Sequence, residues 1–402
     1  MRNLCVSASL RALLFFFFDC GSSTLGETFA KKFAIMKSLD IAPARLSNQL
    51  LSERKCKTPG EVVAWLGAAQ AQDFAAAKWA LGLRMQQATD ADIENAFNDG
   101  AILRTHVMRP TWHFVAPQDI RSLLALTAPR VHAANAHMYR KLELDDDLLS
   151  RCRAIFTKAL RDKKYLTRSE LANHLAENRI KAAGQRLAYI IMHAELETLI
   201  CSGPRRGKQF TYALLEERAP QPKKFRRDEA LALWTLKYFV SHGPAQLKDF
   251  AWWSGLTLQD AQQGLDLAAP QLAHEIIEGK TYWFSPNTKT VKPQTPAALF
   301  LSIYDEYTIA YKDRSALGGK QYSAKLLAMG NALTSVLILD GKIAGTWKRV
   351  IKKERVEIMT HPFRSLRKDE HEAVKAAAMR YGEFLEMPSE LALKLKSQRS
   401  FF

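Results

Sequence analysis

Two glutamines set two apart, Gln70 and Gln72, are the side chains whose type and spacing most suggest chemistry. They lie in Leu66-Gly67-Ala68-Ala69-Gln70-Ala71-Gln72-Asp73-Phe74, where small neighbours let another backbone or a nucleotide come close. On a helix the two carboxamides would diverge by about 200°, whereas extended backbone projects both to one side. A carboxamide cannot take up a proton, so the pair is no general base. Two amide oxygens can instead orient one water molecule and oppose a positive charge forming beside it, which is catalysis by positioning and electrostatics. The plainer alternative is a pair of surface or capping amides. Asp73, the nearest carboxylate, could assist as a base, but it reads more naturally as the N-cap of a helix over Phe74–Leu81.

Other reactive side chains narrow the chemistry. Cys5, Cys20, Cys56, Cys152 and Cys201 are widely spaced, odd in number and form no CxxC pair, which points to a reducing compartment and away from zinc or a disulfide framework. The histidines form no HExxH, and His132 and His137 are five apart, the wrong spacing for one helical face. No metal and no cofactor are expected. Arg109 and His113 bracket a strand-like pair, Ile102–His106 and Thr111–Val115, and could reach a phosphate or a groove; a structural turn with His113 hydrogen-bonded in the core is the alternative. Trp252 and Trp253 follow a helical pattern suited to packing. Asp305, Lys312, Asp313 and Arg314 suggest an ion-pair network holding the C-terminal part, with Tyr304 and Tyr307 as packing residues.

The elements that position these residues must come from a chain of 402 residues, enough for two to four domains. Its 47% hydrophobic and 25% charged content is that of a globular protein and excludes a disordered, collagenous or disulfide-stapled chain. Residues 1–36 read differently. Arg11 interrupts a short apolar run ending in Phe15–Phe18, too brief to span a bilayer and weak as a signal peptide. The leader reads best as disordered or as an over-extended start, with Met36 the true first residue. From Arg45 onward an order recurs: helix, short helix opened by a Thr or Gly-Pro, helix, then two strand-like runs. Thr58-Pro59-Gly60-Glu61, Thr167-Arg168-Ser169-Glu170 and Gly243-Pro244 open the short helices, the first two with capping-box spacing. That order is the winged-helix form of helix-turn-helix, and three copies in register make it a repeat. The units span residues 37–145, carrying the Gln-x-Gln segment, then 146–218 and 225–290. Exposed linkers follow at Arg218–Arg227 and Asn287–Pro296. Residues 296–402 alternate strands around an Asp340-Gly341 turn and end in a helix over Lys368–Leu385, a small β-rich domain with the outline of a partial barrel. The fold class is α+β.

Charge points to the partner. Lys and Arg number 58 against 41 Asp and Glu, a net +17 that marks a polyanion-binding chain. Residues 151–245 carry 19 basic and 9 acidic side chains, with Arg205, Arg206 and Lys208 at the tip of the second hairpin, where a wing meets a phosphate backbone. Lys348, Arg349, Lys352, Lys353 and Arg355 form a second cluster. One such run alone would be a solvated face; basic tips coinciding with hairpin turns favour DNA. The lack of aromatic-rich single-strand motifs favours a duplex.

Several segments resemble one family together. Gln70-Ala71-Gln72-Asp73, Arg104-Thr105-His106-Val107-Met108-Arg109-Pro110-Thr111-Trp112-His113, Gly243-Pro244 through Trp252-Trp253-Ser254-Gly255, Tyr304-Asp305-Glu306-Tyr307, Tyr311-Lys312-Asp313-Arg314-Ser315, and Asp340-Gly341-Lys342 to Gly345-Thr346-Trp347 resemble the signatures of the AlkZ-like bacterial winged-helix DNA glycosylases. The resemblance runs from Ile41 to about Leu385. It implies tandem winged helices packed into a concave basic shape with a C-terminal β domain, acting on alkylated bases and interstrand crosslinks. It also implies that Gln70 and Gln72 match the family's Gln-Φ-Gln catalytic element, with Ala71 the smallest choice at the apolar position.

The chemistry agrees with that implication. Breaking the bond between sugar and base passes through an oxocarbenium-like transition state. A ring-alkylated guanine is already cationic and leaves with little help, so a water held by two amides suffices. The expected protein is a monofunctional glycosylase of cationic purines, acting as a monomer on double-stranded DNA in the cytoplasm, at the nucleoid, without a membrane. A non-catalytic winged-helix regulator on the same scaffold is the alternative, and a protein held at a membrane by its leader a weaker one.

Overall fold

The structure is a computed structural model that describes residues 40–219, 226–288, 296–318 and 334–393. The expected leader and the centres of both expected linkers fall outside these residues.

Local hydrogen bonding explains where the first helices begin. Helix α1 (Ile41–Asn48) is followed by α2 (Pro59–Leu66), opened by Thr58, whose Oγ1 accepts from the Glu61 N–H while the Glu61 carboxylate accepts from the Thr58 N–H. Gly67 ends α2 at φ +81°, and a Cβ there would meet the Trp234 ring at 2.9 Å, so glycine is required twice over. That turn feeds a short strand, β1 (Ala68–Gln70). Helix α3 (Phe74–Gly82) starts at Asp73, whose carboxylate accepts from the Ala76 N–H at 2.9 Å, so the capping reading of Asp73 holds. Helix α4 (Asp90–Asp99) has a Thr89–Asp92 capping box. Strands β2 (Leu103–Val107) and β3 (Thr111–Val115) then form an antiparallel hairpin, and β1 adds to the far side of β3 with Gln70 opposite His113. Helix α5 (Ile120–Lys141) follows, 22 residues that the sequence reading does not foresee because Pro129 interrupts the pattern.

The next two segments repeat one order. The second runs α6 (Asp146–Leu160), β4 (Leu166–Thr167), α7 (Arg168–Glu177), α8 (Gly184–Leu196), β5 (Ile200–Ser202) and β6 (Thr211–Leu214), closed by a single turn, α9 (Leu215–Arg218). The third runs α10 (Arg227–His242), α11 (Leu247–Ser254), α12 (Leu258–Ala268), β7 (Ala273–Ile277) and β8 (Lys280–Phe284). Here Ala245 takes the place of the short strand, exchanging both backbone hydrogen bonds with Trp283, at 3.0 and 2.8 Å. Gly243-Pro244 therefore does not open a helix, contrary to expectation. The helix waits until after Gln246, whose N–H is capped by Asp249.

The register of the repeat also changes. In all three segments the order is helix, short strand, helix, helix, hairpin, with the short strand added beside the second hairpin strand. The counterpart of Thr167 in the first segment is thus the Gln70–Asp73 stretch, not the Thr58 capping box. The Gln-x-Gln segment sits where a short edge strand hands over to the second helix.

The C-terminal part contains β9 (Ala298–Leu301), a turn of helix α13 (Glu306–Ile309), β10 (Val336–Leu339), β11 (Lys342–Ile351), β12 (Val356–Pro362), α14 (Lys368–Phe384) and β13 (Ser389–Leu393). Asp340 and Gly341 both take positive φ, +48° and +82°, the geometry of a two-residue hairpin turn. The strands form one sheet in the order β13-β12-β11-β10-β9, with β13 parallel to β12. Among the described residues this sheet is open rather than a partial barrel, and α14 lays Val374, Ala378, Tyr381 and Phe384 into the core beside it.

The apolar core crosses the expected boundary at residue 296. Val62, Leu66 and Trp79 of the first segment share one core with Phe300, Trp347 and Tyr381, and Trp79 Nε1 donates to the Phe300 carbonyl at 2.7 Å. A second core joins β2 and α5 to α10–α12, while a third is largely internal to α6–α8. The first segment is consequently held from two sides, which fixes the Gln-x-Gln strand.

Candidate active site

The Gln70-Ala71-Gln72 backbone is pinned at successive peptide groups. The Gln70 N–H donates to Glu306 Oε1 at 2.9 Å, and the Ala71 N–H donates to the Trp112 carbonyl at 2.7 Å. The Ala71 carbonyl accepts from Arg104 Nε at 3.0 Å, and Gln72 Oε1 accepts a long 3.4 Å bond from the Trp112 N–H. Strand β1 ends at Gln70 and the chain bends at Gln72, so the extended backbone that aligns side chains two apart is present at the first glutamine and not carried through to the second. Ala71 is fully buried, whereas Gln70 is partly exposed and Gln72 exposed. The methyl group packs in the core, where a larger side chain would overfill the space. Arg104 is itself buried between the rings of Trp112, 4.3 Å away, and Phe210, 4.7 Å away, and burial pushes its guanidinium down to about 10. It remains charged at neutral pH and clamps the peptide between the glutamines.

Behind Gln70 lies a buried carboxylate. Glu306, at the start of α13, accepts from Gln70 through Oε1 and from Trp253 Nε1 at 3.0 Å through Oε2, with His242 Nε2 3.5 Å away. Burial alone would raise its pKa, but His242, His113 and the Gln70 N–H together hold it below the ordinary glutamate value. A negative charge therefore sits one hydrogen bond behind the Gln70 backbone. The adjacent Asp305 receives two bonds from Arg84, at 2.9 and 2.8 Å, and Arg84 also donates to Gln49 Oε1. Gln49 donates to Tyr311 Oη, which donates to the His242 carbonyl at 2.7 Å. The expected network is thus present at Asp305, but it locks three segments together rather than the C-terminal part alone. Asp313 pairs with Lys280 at 2.9 Å in the same manner. Tyr307 is buried as expected, its Oη donating to the Gly341 carbonyl.

His113 is the cross-strand neighbour of Gln70, yet it is 1% exposed and its Nδ1 lies 2.9 Å from the Thr111 carbonyl. It is an interior residue, so the expected groove contact gives way to the core alternative. Burial pushes its imidazole down to about 4. The folded state resists protonating it while the unfolded chain accepts a proton near 6.5, so stability is full above about pH 6.5 and falls on acidification toward pH 4. The loss amounts to roughly 3 kcal/mol. We expect the melting temperature to drop across this window and the drop to be shallower in His113→Gln; identical slopes would refute the assignment.

The structure sorts the other expected DNA contacts. Arg109 is half-buried, its guanidinium 4.6 Å from the Trp252 ring, and burial lowers its pKa. Arg205 points inward, bonding Glu94 at 3.0 Å and stacking near Phe74 and Phe210, so it fastens the second hairpin to the first segment instead of offering a free cation. Arg206 is exposed and pairs with Glu170 at 2.7 Å. Lys208 is exposed at the tip and has no carboxylate partner among the described residues. Lys348 is exposed on β11, while Arg349 lies 5.4 Å from the Tyr381 ring. Lys208→Ala is expected to lower the salt dependence of duplex binding by about one counterion without changing stability. Arg205→Ala is expected to cost on the order of 1–2 kcal/mol of stability with the slope unchanged. Anisotropy titrations against salt and thermal melts distinguish the two.

Sequence reasoning overlooks Arg104, Glu306 and His242 as supports of the site. Arg104 and Glu306 stand inside quoted motifs, but their partners are 33 and 236 residues away. Trp253 packs in the core as expected, whereas Trp252 is 39% exposed. No described helix is long and apolar enough to cross a membrane. His132, His193 and Glu197 are the one group of metal-ligating side chains brought together among the described residues.

A chain of this α+β order matches a known class of DNA repair enzyme. The chain belongs to the AlkZ-like DNA glycosylase family, whose sequence profile matches residues 63–384. It is 24% identical over 341 residues to an interstrand DNA cross-link repair glycosylase of Streptomyces sahachiroi, covering 79% of this chain and 88% of that protein. The solved structure of the Streptomyces sahachiroi DNA glycosylase AlkZ covers 88% of this chain and 98% of its own with a TM-score of 0.72 at 18% identity, a likeness of fold.

Proposed function

We propose that the protein is a monofunctional DNA glycosylase that excises cationic alkylated or crosslinked purines from double-stranded DNA, with Gln70 and Gln72 holding the attacking water. The observation that supports this reading is the Gln70-Ala71-Gln72 segment, pinned at each peptide with Ala71 buried in the core, the two glutamines more exposed on either side of it and a buried carboxylate behind it. As the bond from C1′ to the purine nitrogen breaks, its electron pair neutralises the cationic base. The two carboxamide oxygens accept hydrogen bonds from the water that adds to C1′, and that water releases one of its two protons to solvent and keeps the other in the new 1′-hydroxyl. The Glu306 charge favours the positive sugar through the low-dielectric interior. No side chain protonates the leaving base, so neutral lesions are poor substrates.

The three helix–strand–helix–helix–hairpin segments serve as winged helices, and the hairpin tip bearing Lys208 and the exposed Lys348 contribute phosphate contacts. One copy acting at the nucleoid in the cytoplasm is sufficient. The test is to incubate the protein with duplexes carrying a single 7-methylguanine or a single hypoxanthine. Release of 7-methylguanine with an abasic site left behind, and no release of hypoxanthine, is the expected result. Tight binding with no base loss from either duplex would leave a regulator and overturn the enzyme.

A further inference from the structure

We propose that His132, His193 and Glu197 form a site for one divalent transition-metal ion of the zinc class, bridging α5 and α8. His193 and Glu197 stand four apart at the end of α8 and so share a face, and His132 reaches them from α5. One ligand atom from each lies within 4.8 Å of the others. A tetrahedral ion with bonds of about 2.0–2.1 Å sets its ligands about 3.4 Å apart, so side-chain movements of up to about 1.4 Å close the site.

The hydrogen bonding points the same way. Nε2 of His132 and Nδ1 of His193 are buried and make no hydrogen bond, although His193 is only 8% exposed. Glu197 Oε1 comes within 3.1 Å of His132 Nε2, at ion-pair distance. A ring nitrogen of each histidine and a carboxylate oxygen thus converge, and His193 Nδ1, buried without a hydrogen bond, is costly without a partner. Tyr139 Oη lies 2.9 Å from His132 Nδ1 and can hold the ring with its Nε2 lone pair toward the cluster, as outer partners of metal-bound histidines do. Two nitrogens and one oxygen suit zinc or its neighbours rather than magnesium or calcium. The Glu197 side chain is 44% exposed, which provides an entry path and leaves a fourth position for water. The ion would tie the first segment to the second.

The experiment uses the full-length, chelator-stripped protein under reducing conditions, titrated calorimetrically with zinc chloride and, separately, with cobalt(II) followed by its visible absorption. One ion per chain is expected, with a rise in melting temperature. Affinity should fall on the order of 100-fold in both His193→Gln and the surface variant Glu197→Gln, the latter with an unchanged circular dichroism spectrum. Binding below one ion per chain in the native protein overturns the site. So does native-like affinity in Glu197→Gln and His193→Gln, the result expected if cysteines were the ligands.

Discussion

Replacing Gln70 and Gln72 together by alanine is expected to slow release of 7-methylguanine by about 10²–10³-fold. Duplex affinity and melting temperature should stay close to those of the native protein. The reason is that the bonds holding this segment are mostly made by its backbone. The Gln70 N–H still reaches Glu306, the Ala71 N–H still reaches Trp112, and Arg104 still clamps the Ala71 carbonyl. Among the described residues, the long bond to Gln72 Oε1 is the one side-chain hydrogen bond of the segment that the double variant removes. A loss confined to single-turnover rate is therefore the signature of water positioning. Single variants are expected to fall between, because either amide alone can still accept one hydrogen bond from the water. Undiminished base release by the double variant would end the proposal for these residues, and a parallel loss of stability would recast them as structural.

The second large effect is on folding. Asp305→Ala is expected to cost about 3–5 kcal/mol, because it leaves the Arg84 guanidinium buried without its carboxylate. Arg84 and Asp305 are 1% and 0% exposed, so solvent cannot replace the lost partner. Gln49 retains one bond to Arg84, which is too little to offset a buried charge. The double replacement Arg84→Met/Asp305→Leu should recover much of the loss, since the desolvation cost disappears with the charges. Denaturant melts of the single and double variants measure both. A drop below about 1 kcal/mol in the single variant would show that the pair does not anchor the segments. Base release should weaken as well, because the next residue, Glu306, is what fastens Gln70.

Much of the architecture was legible in the amino-acid order because it is encoded over a few residues. Thr58 with Glu61 and Thr167 with Glu170 mark helix starts through contacts three residues apart, and Asp340-Gly341 marks a hairpin through its own φ angles. The spacing of Gln70 and Gln72 likewise stated its own condition, an extended backbone. What met it at Gln70 was remote. Three residues rich in alanine have no intrinsic pull toward a strand, and β1 is extended because β3 accepts it some forty residues later and Glu306 receives its last N–H across 236 positions.

The same distinction explains the errors. The Thr58 box looked equivalent to the Thr167 box because both satisfy one local rule, yet their places in the repeat differ. Arg205 and His113 looked like groove contacts because charge and hairpin position are visible in a chain, whereas Glu94 and the covering core that claim them are not. His132 was weighed against His137, its neighbour in the chain, but the structure sets it beside His193, sixty-one positions on and on another helix. Helix caps and tight turns are satisfied by adjacent peptide groups and so survive in any context. Burial, ion pairing and the aim of a side chain depend on which distant surfaces close over it, and that is settled when the three cores pack.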